Sequence, residues 1–169
     1  MREDPQRELD VCWMVAEWVE GHRLGERATD REPQTALRIV GDLARVVHGL
    51  HTARIPGGAT GLVHRDLKTS NIRLSSSGGV VLVDLGCAGP DDGRFDAVGT
   101  PGWLAPEVAA GASPGRSADV YGVGAVAHDL LVGVPPRRDG RMVAEADLGL
   151  TPFFAFSGSG LLFYEVERV

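Results

Sequence analysis

The chain is poor in two side chains on which binding sites often depend, lysine and asparagine. It has 17 basic residues among 169, yet Lys68 is its only lysine, and Asn71 is its only asparagine. Both belong to one short segment, HRDLKTSN. Any chemistry that requires an ammonium group or an asparagine carboxamide must therefore take place at this segment.

Long apolar runs and paired cysteines are also missing. No run approaches the roughly 20 residues that span a bilayer, and the charged start MREDPQRELD lacks the apolar stretch of a signal peptide. Cys12 and Cys87 are far apart and outside any CxxC pair, which argues against a disulfide framework or a zinc site and predicts two buried free thiols. We expect a cytoplasmic protein with no membrane partner.

The charge balance argues against a second class of partner. A net charge of −6 and a pI near 5.3 are unlike those of nucleic-acid binders, which need a basic face to neutralise phosphates. A hydrophobic content of 43% fits one compact globular domain. The sequence thus predicts a globular protein with no nucleic-acid partner.

Residue periodicity predicts one strand, two helices and a strand pair. The β-branched and aromatic run at 11–19 predicts a mostly buried strand. Apolar residues at three- and four-residue spacing predict helices from Thr29 or Asp30 to about His51 and from Ser117 or Ala118 to Val132. Two apolar runs around SSSGG predict a hairpin-like pair after a glycine- and proline-containing loop at 55–61. The residues expected on the inner faces of the helices are Ala36, Val40, Leu43, Val47 and Leu50, then Val123, Val126, Ala127, Leu130 and Leu131.

Two acids, an amide and the lysine occur at loop ends between these elements. Asp66, Lys68 and Asn71 join the first helix to the strand pair, and Asp84 follows the second strand. Phosphoryl transfer from ATP requires a carboxylate to accept the proton of the attacking hydroxyl, oxygen ligands for magnesium, and a cation near the moving phosphate. These four residues supply all three requirements.

The motifs in which these residues stand resemble those of the protein serine/threonine kinase family, in the eukaryotic-like form found in bacteria. His64-Arg65-Asp66-Leu67-Lys68-Thr69-Ser70-Asn71 resembles the catalytic loop, and Asp84-Leu85-Gly86 resembles the magnesium motif. The segment GTPGWLAPE at 99–107 is similar to the substrate-positioning segment, and SADVYGVG at 117–124 is similar to the central buried helix. Taken alone, HRD also fits a structural turn, but four motifs in order favour the kinase interpretation.

The resemblance implies a role for each site residue. Asp66 would be the catalytic base, Lys68 the contact to the γ-phosphate of ATP, and Asn71 and Asp84 the Mg²⁺ ligands. Thr100 would help to seat the acceptor hydroxyl of a protein substrate. Residues 15–21 resemble the hinge, where the backbone of Glu17 and Val19 would hydrogen-bond adenine.

The chain also departs from the family pattern on the nucleotide side. No glycine-rich loop precedes the hinge-like segment, and no lysine remains for the strand that neutralises the α- and β-phosphates. Arg73 stands where the family usually has an apolar residue beneath adenine. Leu85 replaces the usual phenylalanine and is expected to remain an apolar anchor.

Two further departures concern the activation segment and the tail. No Ser, Thr or Tyr lies between Gly86 and Gly99, so a phosphate has no acceptor there, and Asp91, Asp92 or Asp96 is a candidate fixed negative charge for Arg65. The alternative is that these acids are simply solvated. Glu107 would require an arginine partner, for which the candidates are Arg137, Arg138 and Arg141.

The resemblance implies an α+β fold like a kinase C-terminal lobe, mainly helical with short antiparallel strands and with most of the N-terminal lobe absent. The expected divisions are a remnant of an N-lobe strand and hinge at 1–21, a C-lobe core at 22–136 and an unmatched tail at 137–169. A partner chain could cover the open lobe interface. The alternatives are a catalytically inactive pseudokinase-like module or gene fragment, and a small-molecule kinase of similar architecture.

Three other patterns are interpreted as structural. GxGxxA at 122–127 lies inside a helix pattern and not after a strand. GxSxG at 111–115 places Pro114 where a hydrolase requires a backbone N–H. His48 and His51 lie one helical turn apart but have no evident third metal ligand nearby.

Overall fold

The computed structural model describes residues 15–54, 61–93, 97–138, 141–142, 156–157 and 160–161. Within these ranges the fold is α+β, with helices as its main elements and small antiparallel sheets. The helices are α1 (Pro33–Thr52), α2 (Pro106–Ala109) and α3 (Arg116–Val132). The strands are β1 (Gly21–Arg23), β2 (Leu62–Val63), β3 (Ile72–Ser75), β4 (Val80–Leu82), β5 (Gly89–Pro90), β6 (Arg137–Arg138), β7 (Arg141–Met142), β8 (Phe156–Ser157) and β9 (Gly160–Leu161). Short 3-10 helices cover Ala28–Arg31, Thr69–Asn71 and Leu85–Cys87.

Helix α1 forms because its apolar residues repeat at helical spacing and Pro33 is well suited to the first turn. The predicted helix is confirmed, but it begins at Pro33 and not at Thr29 or Asp30. The preceding residues form a 3-10 turn, in which the Asp30 carboxylate accepts from Gly25 N at 3.0 Å and lies 3.1 Å from His22 Nε2. Of the predicted inner positions Leu50 is half-buried, and the buried residues of the helix are Ala36, Ile39, Val40, Leu43, Val47 and His51.

Helix α3 is also confirmed, and it packs against α1 at the centre of the core. Val126, Ala127 and Leu130 are buried there, and Val123 and Leu131 pack against the same cluster. None of the helices in the described ranges is long and apolar enough to cross a membrane.

The predicted hairpin is confirmed as β3 and β4, and β1 extends it to a three-stranded antiparallel sheet in the order β1-β3-β4. In a separate pair, β2 runs antiparallel to β5 with Leu62 opposite Pro90. This second pair joins the chain just before the HRD segment to the chain just after the DLG segment.

The predicted strand at 11–19 is wrong where the structure describes it. Residues 15–20 have no regular structure, with the side chains of Val15 and Trp18 96% and 74% exposed, and the strand begins only at Gly21, where β3 offers a partner. A β-rich composition therefore does not form a strand without a neighbouring edge. Residues 11–14 and Cys12 lie outside the described residues, as does most of the predicted loop at 55–61.

The second predicted buried thiol is also wrong, because Cys87 is free but only half-buried. It belongs to the 3-10 helix Leu85–Cys87, none of whose residues is buried. Leu85 belongs to the same 3-10 helix and is 38% exposed, whereas the sequence led us to expect an apolar anchor.

The α1 core face permits a matched stability test. Leu43 is fully buried and Leu37, on the same helix, is 43% exposed. We expect Leu43→Ala to lower the free energy of unfolding by about 3 kcal/mol, because the lost contacts leave a cavity. Leu37→Ala should lower it by less than about 1 kcal/mol. Urea unfolding of both variants checks this, and equal losses would contradict the assignment of the buried face.

Candidate active site

The HRD segment is held between β2 and β3 in a conformation that its backbone would not adopt alone. Arg65 has a φ of 70°, and Asp84 has a φ of 62°; they are the non-glycine residues with positive φ in the described part of the chain. Both lie at loop ends where candidate site residues occur. Left-handed backbone at such residues is costly and persists only where surrounding contacts fix it.

A buried carboxylate supplies those contacts at Arg65. Asp119 of α3 is 1% exposed and accepts from the backbone N–H groups of His64 at 2.8 Å and Arg65 at 2.9 Å. The Nε2 atom of His51, in the last turn of α1, lies 2.8 Å from the same carboxylate. One side chain of α3 therefore connects α1 to the HRD segment.

Helix α3 approaches this segment closely because Gly122 has no side chain. A Cβ at Gly122 would lie 2.7 Å from Leu67 Cβ, which is too short for a normal contact. Leu67 is 4% exposed and belongs to the main core cluster. The residues on either side of Leu67, Asp66 and Lys68, are thus fixed by the core.

Asp66, Lys68, Thr100 and Asn71 form one hydrogen-bonded network. Lys68 Nζ donates to Asp66 Oδ2 at 2.7 Å and to Thr100 Oγ1 at 2.6 Å. Thr100 Oγ1 in turn donates to Asp66 Oδ1 at 2.7 Å. Asn71 Nδ2 donates to the Asp66 carbonyl at 3.0 Å and to Oδ2 at 3.2 Å. Residues far apart in sequence are thereby brought to one carboxylate.

This network changes the acidity of Asp66. Burial opposes ionisation of the carboxylate, but hydrogen bonds from Lys68 and Thr100, the charge of Lys68 and a hydrogen bond from Asn71 outweigh it. The pKa of Asp66 is lowered from its ordinary value of 3.8 as a result. At neutral pH the side chain is therefore an ionised hydrogen-bond acceptor.

Asn71 and Asp84 are placed near each other through the backbone. Val83 N donates to the Asn71 carbonyl at 2.9 Å, so Asp84 follows directly after a residue bonded to Asn71. The Asp84 carboxylate is exposed, and its Oδ1 accepts from Gly86 N at 3.3 Å. Because the Asn71 amide nitrogen donates to Asp66, its carbonyl oxygen is the atom that this side chain presents as a ligand.

The hinge-like residues are less open than the sequence suggested. Arg73 Nε donates to the Val19 carbonyl at 3.2 Å, and Arg73 Nη2 donates to the Gly21 carbonyl at 2.8 Å. The guanidinium also lies 5.2 Å from the centre of the Trp18 ring, within the range of a cation–π contact. Arg73 thus binds the backbone at Val19 and Gly21 and occupies the Val19 carbonyl, one of the groups expected to hydrogen-bond adenine.

The described hydrogen bond of Glu107 is to a residue that the sequence did not predict. Glu107 Oε1 accepts from Ser117 Oγ at 3.4 Å, whereas Arg137 Nε is buried without a hydrogen-bond partner in the part of the chain that the structure describes. Burial raises the pKa of the neighbouring Tyr121, and the charge of Arg137 opposes that rise. The side chains of Arg138 and Arg141 lie outside the described residues.

The motifs and their geometry agree with what comparison to known proteins finds. The sequence pattern of the family described as the protein kinase domain matches residues 4–151. The chain belongs to this family. It is 38% identical over 135 residues to the serine/threonine-protein kinase ste20 of Emericella nidulans, a match that covers 76% of this chain and 15% of that protein.

Other kinases in fungi and bacteria match the same share of the chain. The serine/threonine-protein kinase pakA of Talaromyces marneffei is 37% identical over 135 residues, and a probable serine/threonine-protein kinase of Corynebacterium efficiens is 30% identical over 135 residues. Each match covers 76% of this chain and 20% of the relative. The chain therefore spans about 15 to 20% of the length of these curated relatives.

The sequence did not predict that Asp119 holds the backbone of the HRD segment. A signal was present, because Asp119 lies three and four residues before Gly122 and Val123 and so shares their inward face. A carboxylate on the core face of a helix requires buried donors. The sequence predicts a structural role for His51, which is confirmed, but its contact with Asp119 could not be predicted from spacing.

The Asp66 network predicts a pH effect with a defined sign. Because the folded-state pKa is below the unfolded-state value, ionised Asp66 contributes stability above that value, and the contribution is lost as pH falls toward the folded-state pKa. Removing the cation in Lys68→Met should raise the pKa of Asp66, which a ¹³C NMR titration of carboxyl carbons measures. Arg45→Met removes a cation that pairs instead with Asp42 on the exposed face of α1, and should leave the pKa of Asp66 unchanged. An unshifted pKa in Lys68→Met would contradict the role given to Lys68.

Proposed function

We propose that this chain carries the acceptor side of a protein serine/threonine kinase active site and transfers the γ-phosphate of ATP to a Ser or Thr hydroxyl. The observation that carries the proposal is the network in which Lys68, Thr100 and Asn71 all donate to Asp66. Family membership supports the reaction class, because protein kinases use ATP and Mg²⁺ to phosphorylate proteins.

Asp66 is the proposed catalytic base. Its carboxylate is ionised at neutral pH, is 11% exposed and is held at both oxygens, so its orientation toward an incoming hydroxyl is fixed. Thr100 holds one oxygen and also accepts from Lys68, which keeps the cation beside the base. Lys68 is the proposed counter-charge for the transferred phosphoryl group.

Asn71 and Asp84 are the proposed magnesium ligands. Both offer oxygen atoms, which hard cations prefer, and the Asp84 carboxylate is accessible at the surface. The donor chemistry of the pair therefore fits Mg²⁺, which when bound would neutralise charge on the phosphates of ATP. In this proposal the chain holds the cation and orients the base.

The adenine site fits the family expectation only in part. Since Arg73 occupies the Val19 carbonyl, we assign adenine contacts to the remaining backbone groups of Glu17 and Val19. Trp18 is 74% exposed beside them and offers an aromatic face. Weak ATP binding by this chain follows from that arrangement.

A catalytically inactive, pseudokinase-like binding module is the second candidate function. It is favoured by the Arg73 contacts and by the use of the only lysine at Asp66 and Thr100, because no lysine is then available for the α- and β-phosphates. Phosphotransfer assays distinguish the two candidates.

Three finer assignments remain proposals. We retain the division into a hinge remnant at 1–21, a C-lobe core at 22–136 and a tail at 137–169. Exposed apolar side chains at Val15, Trp18 and Leu85 support a partner chain that would cover the lobe interface. The relatives include fungal and bacterial kinases, so a bacterial type stays a prediction.

Asp66→Asn tests the proposed base. We expect phosphotransfer from labelled ATP to a serine-containing peptide library to fall by at least about 10³-fold, because the amide cannot accept the proton. The melting midpoint should stay within a few degrees, since the amide retains the size of the side chain. Asp42→Asn, an acid-to-amide change on the exposed face of α1, is the matched control and should retain activity. Full activity in Asp66→Asn would refute the assignment.

Asp84→Asn tests the proposed magnesium ligand without requiring turnover. A ligand that binds only the folded chain raises the melting midpoint, so MgATP should stabilise the wild type more than ATP with a chelator does. In Asp84→Asn we expect that difference to shrink to near zero. An undiminished magnesium-dependent shift in the variant would exclude Asp84 as a ligand.

A further inference from the structure

The segment that follows the DLG motif has no hydroxyl side chain that could accept a phosphate. Between Gly86 and Gly99 the sequence reads CAGPDDGRFDAV, without Ser, Thr or Tyr. It is acidic instead, and two of its carboxylates, Asp91 and Asp92, lie in the described part of the segment. Both follow directly after β5.

The start of this segment is bonded to the catalytic loop by both backbone and side chain. Strand β5 pairs antiparallel with β2, with Val63 opposite Gly89 and Leu62 opposite Pro90. Arg65, two residues after β2, donates from Nη2 to the Pro90 carbonyl at 2.6 Å. Because Pro90 directly precedes Asp91, this hydrogen bond and the β2–β5 pairing fix where Asp91 lies relative to Arg65.

Asp91 forms an ion pair with a different element. Its Oδ2 lies 3.3 Å from Nε of Arg116, the first residue of α3. The preceding residue is Gly115, at which a Cβ would lie 3.1 Å from Asp91 Oδ1. The carboxylate therefore lies close to the backbone at the start of α3, where glycine leaves room for it.

The charge of Asp92 opposes the effect of burial on Arg65. Arg65 is only 5% exposed. Burying its cation is costly unless anionic groups lie nearby. Burial lowers the pKa of Arg65, and Asp92 opposes this more than Asp119 or Asp91 does. Asp91 thus pairs with Arg116 at the start of α3, and the charge of Asp92 favours the charged form of Arg65.

We propose that Asp91 and Asp92 are positioning residues that hold the activation segment against Arg116 and Arg65 by permanent charge, so that this chain needs no phosphate there. The proposal deepens the proposed kinase function, because Arg65 directly precedes Asp66. Two carboxylates carry about the charge of one phosphate group, −1.5 to −2 at neutral pH. The segment is then held constitutively and not by a switch.

Hydrogen exchange in the full chain tests the proposal without requiring activity. Chain treated with phosphatase, and verified as unphosphorylated by intact mass, should show the same exchange in peptides spanning residues 85–93 as untreated chain. In Asp91→Asn/Asp92→Asn we expect exchange in those peptides to be about five- to tenfold faster, because local opening becomes easier. Exchange in α1 should not change.

Three controls separate charge from simple loss of structure. Asp92→Glu, with Asp91 unchanged, retains the carboxylate. Its exchange in residues 85–93 should lie within about twofold of the wild type, unlike that of the double variant. Asp42→Asn removes a carboxylate that contacts Arg38 and Arg45 on α1, and should leave residues 85–93 unaffected. Raising sodium chloride from about 0.05 to about 0.5 M in the wild type should speed exchange in residues 85–93 selectively, since salt screens the partly exposed Asp91–Arg116 pair.

Unchanged exchange in the double variant, or faster exchange after phosphatase treatment of the wild type, would overturn the proposal. If the double variant unfolds, Asp91→Asn and Asp92→Asn taken singly, together with the salt series, give the same decision. If exchange in residues 85–93 depends on Asp91 and Asp92 as expected but the wild-type chain transfers no phosphate, the proposed function is contradicted and the positioning role is supported. The two failures are therefore distinguishable.

Discussion

The carboxylate of Asp119 is the constraint on which the geometry of the site depends. It is 1% exposed, and three contacts from two other parts of the chain surround it. Two of them are the backbone N–H groups of His64 and Arg65, and the third contact is to His51 Nε2. Since an unpaired buried carboxylate is costly, the catalytic loop and both long helices are held in one arrangement.

The contacts of Asp119 also influence where the side chains of the candidate site lie. With its N–H fixed by Asp119, Arg65 keeps a left-handed backbone, and its side chain reaches the Pro90 carbonyl. Leu67 inserts into the core against Gly122, so Asp66 and Lys68 are directed to the opposite side. Packing thus determines where the charged atoms lie, and the hydrogen bonds among them refine the positions.

The sequence predicted the elements whose signal is periodic and local. Helix α1, helix α3 and the β3–β4 hairpin each show their period in the residues themselves, and they were confirmed within a few residues. Properties that depend on a distant neighbour could not be obtained in this way. Trp18 lies in a β-rich run that has no partner edge, and Arg73 binds a backbone 54 residues away at Val19. The residue types of the Asp66 network were evident from the motifs, but its contact with Thr100 required the fold.

The contacts of the cationic side chains explain why the surroundings of Asp66 differ from the hinge-like residues near Arg73. Lys68 is held by Asp66 and Thr100, Arg65 bonds to Pro90, and Arg73 bonds to Val19 and Gly21. Each of these cations is therefore directed by an acceptor of the chain itself, and among these three side chains Lys68 is the one that contacts the Asp66 carboxylate. Because preorganised charge stabilises a transition state only where it is aimed, the described residues favour activation of a hydroxyl acceptor over neutralisation of a triphosphate. The candidate site is accordingly best organised around the carboxylate of Asp66.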